Sequence, residues 1–277
     1  MIGRYSHPLL KWAATVALAL AAVLSLTPVV WVAALSLKTG ADVYSSSFIP
    51  QTLNPDNYLQ AWNQFALGPL FMHSIVVTVG SVVATVVFSC LAAYGFAKVP
   101  FRGSEVLFVG ILLGIMVPPA AVIIPLFVQI RAMGLYNNYL GLAAAYTAFA
   151  LPVGILILRS FFSSIPRELI EAAWIDGATD LRILRSVIAP LSKAPILTVS
   201  LLTFLAAWND FFLALVLLKD VGTYTIPVGI SQFIGQYSTP YELVAAGALI
   251  ATAPVVVIYL LLHSQFERGV TEGAVRG

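Results

Sequence analysis

Between Arg131 and Arg159 the chain reads AMGLYNNYLGLAAAYTAFALPVGILIL, residues 132–158, without one aspartate, glutamate, lysine, arginine or histidine. A helix crosses the hydrocarbon core of a bilayer in ~20 apolar residues, and this run is longer. Working outward, residues 106–130 and 12–37 are also uncharged, while 70–97 carry only His73, 194–218 only Asp210 and 243–266 only His263. Composition agrees, with 60% hydrophobic and 9% charged residues against the ~25% charged of soluble domains. The expectation is an all-α polytopic membrane protein of one domain, residues 1–277. Its six transmembrane helices fall at about 12–37, 70–97, 106–128, 139–160, 194–218 and 243–264. Residues 221–241 are uncharged too, but Gly222, Pro227, Gly229, Gly235 and Pro240 mark them as part of an external loop, 219–242.

Cationic loops are retained on the cytoplasmic side. An internal N-terminus leaves only Lys38, Arg131 and Lys219 outside and puts the rest of the 14 lysines and arginines inside. Both termini and the segment 161–190 are therefore expected in the cytoplasm of a multi-pass inner-membrane protein. The net charge of +2 follows membrane side and forms no basic stripe, so no nucleic-acid partner is expected. The apolar run after Arg4 and Lys11 outlasts the ~7–15 residues of a signal-peptide core and reads as an uncleaved first helix. Cys90, the single cysteine, reads as a packed side chain.

Catalytic chemistry is hard to find. His7, His73 and His263 are separated by whole spans and complete no metal motif, so neither a catalytic group nor a metal site is expected. No lysine follows a glycine, which removes the Gly-Lys-Ser/Thr end of a phosphate-binding loop. Asp210 is the one carboxylate inside an expected span. A coupled carrier ordinarily uses a series of such groups.

The polar island Glu171-Ala172-Ala173-Trp174-Ile175-Asp176-Gly177 lies in the longest charge-bearing gap between spans. Ser164 suits an N-cap, Pro166 the first turn and Glu168 the positive end of a helix running to about Ile175. Gly177 suits the left-handed position that closes it. Thr179 would cap a second helix with Leu181, Leu184 and Ile188 on one face, interrupted by Pro190 and leading straight into the fifth span. On the first helix Leu169, Ala172 and Ala173 share a face, flanked by Ile170 and Trp174.

Glu171-Ala172-Ala173, Asp176-Gly177-Ala178 and Ile188-Ala189-Pro190-Leu191 together resemble the EAA loop of inner-membrane ABC importer permeases, with the last element slightly compressed. Three further pieces narrow the likeness: Ala92-Ala93-Tyr94-Gly95-Phe96-Ala97 followed by Phe101-Arg102-Gly103, Trp208-Asn209-Asp210, and the tail from Gly269 to Gly277. With them the whole chain is similar to the smaller membrane subunit of maltose-type carbohydrate-uptake permeases. That resemblance implies a subunit that is not itself an enzyme. Its partners would be a second, similar permease, two ATPase subunits that hold ATP and Mg, and an external solute-binding protein delivering a sugar-like solute. It further implies an ATPase-coupling helix made by Glu171, Ala172, Ala173, Trp174, Asp176 and Gly177, and an external loop reaching the binding protein through Tyr224, Gln232, Phe233, Gln236 and Tyr237. Trp208, Asn209 and Asp210 are candidates either for the translocation path or for structural packing. An ion-coupled secondary transporter is the alternative.

Overall fold

The computed structural model describes residues 8–45, 47–99, 101–235 and 239–274, and among these there is no strand. The chain packs as two compact units, Met1–Leu67 with Ile230–Ala253, and Gly68–Gly229 with Pro254–Gly277.

In the smaller unit α1 (Pro8–Ser36) is apolar around its whole circumference and buries none of its long hydrophobic window. Such a helix is at home only in lipid or against another chain. The chain leaves it through a polar knot. The Lys38 ammonium donates to the carbonyl of Ser47, and Asn57 Nδ2 donates to the carbonyls of Ser36 at 2.9 Å and Lys38 at 2.7 Å. The Asp42 carboxylate accepts the Gln51 N–H and the Ser45 hydroxyl, which with the nearby Lys38 charge hold it below the usual carboxylate range. After α2 (Asp56–Gln64), Phe65 lies over Phe233 with ring centroids 4.0 Å apart.

In the larger unit α3 (Leu67–Lys98) runs unbroken, and its buried residues include a row of hydroxyls, Ser74, Thr78, Ser81, Thr85 and Ser89, beside Leu70, Val77, Cys90 and Tyr94. Spacings of three and four keep them on one side, and small side chains let apolar helices approach in a bilayer. A turn with Gly103 at φ +83° follows. The third expected span is not straight. α4 (Ser104–Leu113) and α5 (Pro119–Ala132) meet at 106°, because Pro118 and Pro119 give no N–H donors at the junction. Pro125, by contrast, stays inside α5. Asn138 caps α6 (Tyr139–Ser164) by accepting the Leu140 N–H at 2.8 Å.

Next come α7 (Arg167–Ile175), α8 (Asp180–Ile183), a π turn over Leu184–Ile188 and α9 (Ala189–Leu191). Pro190 does not end this stretch. It has no N–H for the Ser186 carbonyl, and the helix widens just before it. The chain then bends by 86° at buried Ser192 into α10 (Lys193–Asn209), so the second helix does not run straight into the fifth span. That span is itself interrupted at Asp210 and Phe211 before α11 (Phe212–Leu217). The external segment expected as a loop contains α12 (Ile226–Ser231), and α13 (Tyr241–Ala274) completes the chain. Among the described residues four helices are long and apolar enough to cross a membrane, or up to six if each bent pair is one span.

Two apolar cores sit at opposite ends of α6. One gathers Leu142, Ala145 and Tyr146 with Val77 of α3, Ile130 of α5 and Leu213 and Leu217 of α11. The other gathers Leu158 and Phe162 with Cys90 and Tyr94 of α3, Ile170 of α7, Ile183 of α8 and Val199 of α10. Cys90 is thus a packed side chain. Between the cores, Gly154 of α6 lets Ser89 of α3 come against its backbone, and Val199 lies 3.2 Å from where a Cβ would be.

Candidate functional site

The polar island folds as α7 and a tight turn. Asp176 is the last half-helical residue, and Gly177 follows at φ +77°. Gly177 N–H donates to the Trp174 carbonyl and Ala178 N–H to the Ala173 carbonyl, each at 2.9 Å, the paired closure of a Schellman cap. The start differs from expectation. Ser164 ends α6 with its hydroxyl turned back to the Phe161 carbonyl, and Pro166 occupies the N-cap position.

The faces sort differently as well. Ile170 is buried and Ala173 packs beside it, whereas Glu171 and Ala172 are exposed. Leu169 at 45%, Trp174 at 49% and Ile175 at 86% are exposed too, so α7 shows an apolar surface to its surroundings. In α8 and the π turn Leu184 and Ile188 are buried as expected, while Leu181 is exposed and Ile183 takes its place in the core. Thr179 stands at the N-cap position of α8 without a side-chain hydrogen bond.

Trp208, Asn209 and Asp210 end α10 and have separate surroundings. Trp208 is buried and stacks on Phe204 at 5.6 Å. Asn209 turns its amide to the Leu205 carbonyl. Asp210 Oδ1 accepts the Tyr146 hydroxyl at 2.8 Å and the Ala214 N–H at 3.1 Å, tying α6 to the start of α11. Asp210 and Tyr146 also line a cavity of about 340 Å³ with Pro119, Phe149, Val153 and Thr203. One carboxylate and two hydroxyls interrupt an otherwise apolar wall.

Residues 85–272 match the family described as the binding-protein-dependent transport system inner membrane component. The chain belongs to this family. It is 38% identical over 255 residues, 91% of this chain and 93% of the relative, to the trehalose transport system permease protein SugB of Mycobacterium tuberculosis. It is 33% identical over 261 residues, 93% of this chain and 94% of the relative, to the trehalose/maltose transport system permease protein MalG of Thermococcus litoralis. Its fold matches a chain from the crystal structure of a bacterial ABC transporter involved in the import of the acidic polysaccharide alginate. The TM-score there is 0.83 at 26% identity, covering 94% of this chain and 98% of that one. The protein is therefore a multi-pass permease subunit of an importer, and the ion-coupled alternative is set aside.

The external candidates of the permease are divided between the two units. Tyr224 belongs to the larger unit, where its hydroxyl donates to the Lys219 carbonyl at 3.0 Å and its own carbonyl meets His73 Nδ1. Gln232 and Phe233 belong to the smaller unit, Gln232 exposed and Phe233 stacked on Phe65. Gln236 and Tyr237 lie outside the described residues. Several organising residues of the permease escaped the sequence reading. Asn137, at φ +57°, accepts from the Lys219 N–H, the Asp220 N–H and the Thr223 hydroxyl, and donates to Asp220. An Asn-Asn pair after Gly134 was the available turn signal. Tyr94, Lys98 and Asp180 bind the α7 module, and only the aromatic within an alanine-rich segment hinted at Tyr94.

Proposed function

We propose that the permease is one of two non-identical membrane subunits of an ATP-driven importer that takes a carbohydrate-like solute from an external binding protein. In this reading α7 is the coupling helix and sits in the cytoplasm, as do both termini. Glu171 anchors it, Ala172 allows close approach, and Trp174 and Ile175 enter a groove on one of two ATPase subunits, which hold ATP and Mg. Asp176 and Gly177 fix the turn behind it. The observation that carries the reading is that exposed apolar face on a short helix rigidly capped at Gly177, in a chain with no phosphate-binding loop. Closure of the ATPases around ATP would draw the coupling helices together and rotate the attached spans, moving the path from inward-facing to outward-facing by rigid-body motion.

The solute class is read from chemistry and relatives together. Sugar hydroxyls suit the second Asp210 oxygen and Thr203, and a pyranose C–H face suits Phe149. SugB and MalG carry trehalose and maltose in their names. Tyr224, Gln232, Phe233, Gln236 and Tyr237 are assigned to contact with the binding protein. The complete complex, reconstituted in proteoliposomes, should hydrolyse ATP faster when the binding protein is added. Glu171→Ala should leave the permease inserted and abolish that stimulation; stimulation at the wild-type level in this variant contradicts the assignment.

A further inference from the structure

The segment Ala92-Ala93-Tyr94-Gly95-Phe96-Ala97 has no task in the account so far, yet its tyrosine makes a long-range polar contact with the α7 module. Tyr94 is buried at the end of α3, and its hydroxyl donates to Asp180 Oδ1 at 2.9 Å. The same oxygen accepts the Trp174 indole N–H at 3.3 Å. One carboxylate oxygen thus joins three elements, α3, α7 and α8.

A second bond acts in parallel. Lys98 lies four residues after Tyr94, on the same face of α3, and its ammonium donates to the Ile165 carbonyl at 2.7 Å. Ile165 is the first of the two residues between α6 and α7, and Asp180 is the first residue of α8. The end of α3 therefore holds the coupling module on both sides of α7. Apolar contact fills the space between the two bonds, with Ile170, Ile183 and Ile188 packed into the same core as Tyr94 and Cys90.

In the middle of α3 a tie of this kind is missing at two buried hydroxyls. Its buried hydroxyls at Thr85 and Ser89 have no hydrogen-bond partner, so no polar bond fixes α3 to its neighbours at those two positions. The polar bonds that tie α3 to the coupling module are those of Tyr94 and Lys98, while at its other end His73 meets the Tyr224 carbonyl and Ser74 accepts the Ile226 N–H.

We propose that Asp180 is a positioning residue of the coupling machinery, joining the Trp174 side of α7 to Tyr94 so that movement of α7 is passed directly to α3. The proposal rests on the reading of α7 as the coupling helix. A hydrogen bond to a carboxylate is among the stronger neutral-to-charged contacts, and its loss is worth about tenfold in an equilibrium that depends on it.

The test uses the complete complex in nanodiscs, with ATPase co-purification, basal ATP hydrolysis and stimulation by the isolated binding protein measured on each preparation. Tyr94→Phe, which removes one hydroxyl, and Asp180→Ala should each retain the ATPase subunits and basal hydrolysis while stimulation falls by about tenfold. The double variant should be no worse than either single one. Asp180→Asn keeps an accepting oxygen but loses the charge, and its stimulation should fall between wild type and Asp180→Ala. A purely structural role predicts instead that hydrolysis, assembly and stimulation decline together. Wild-type stimulation in both Tyr94→Phe and Asp180→Ala overturns the proposal. Ile175→Asp, placed on the exposed face of α7, separates the two levels: it should remove stimulation, and if it too behaves as wild type the coupling-helix reading fails beneath the proposal.

Discussion

A Cβ placed on Gly177 meets nothing within 4 Å, yet the residue stands at φ +77°, where an L side chain crowds its own carbonyl. Gly154 is the reverse case, a helical glycine whose Cβ would press on Ser89 and on Val199. The two glycines therefore answer differently to the same substitution. Gly177→Ala should cost about 1–2 kcal/mol through backbone strain alone, and no change in a neighbouring side chain should recover it. Gly154→Ala should destabilise by overpacking, and a second change, Ser89→Ala, should recover part of the loss by removing the hydroxyl nearest the new methyl. Thermal unfolding of the detergent-solubilised permease checks both. Equal rescue of both glycine variants by Ser89→Ala would contradict this separation of strain from crowding.

At the scale of elements, what was legible in the chain is what depends on local chemistry. The long uncharged runs gave α1, α3, α6 and α13 because an unbroken apolar helix is a property of its own sequence. Gly177 was readable for the same reason, since a left-handed closing residue after a short helix needs no distant partner. Directions were not readable. A proline pair breaks the third span at 106°, yet Pro125 and Pro152 are carried inside their helices, and the 86° bend falls at Ser192, which carries no breaking signal of its own. Which face of α7 turns inward was likewise decided by the core of Leu158, Phe162 and Ile183, which chose Ile170 over Leu169. Candidate residues divided along the same line. Glu171, Ala172, Trp174 and Asp176 were found from a contiguous motif, while the Tyr94–Asp180 bond joins residues 86 apart. Trp208, Asn209 and Asp210 are adjacent in sequence but have separate surroundings, because a helix end sends consecutive side chains in different directions.

At the scale of the whole molecule, the permease is a membrane protein whose energy source, in the proposed function, is a partner subunit. Its exposed apolar surface has two distinct kinds of neighbour. Around α1 and along α3 it faces lipid or another membrane subunit, as the hydrophobic length of those helices requires. On α7 it belongs to a helix of nine residues, too short to cross a bilayer, set beside Glu168 and Glu171 and held by a polar turn. An exposed apolar patch of that kind marks an interaction site, and the proposed function assigns it to a protein partner. The central claim is that the covering protein is the ATPase, and the most direct measurement is site-specific photo-crosslinking in the assembled complex. A photoreactive residue at Ile175 should capture the ATPase subunit, whereas one at Phe88, exposed in the middle of α3, should not. Capture of the ATPase from Phe88 and none from Ile175, in complexes that retain the ATPase, would contradict the account.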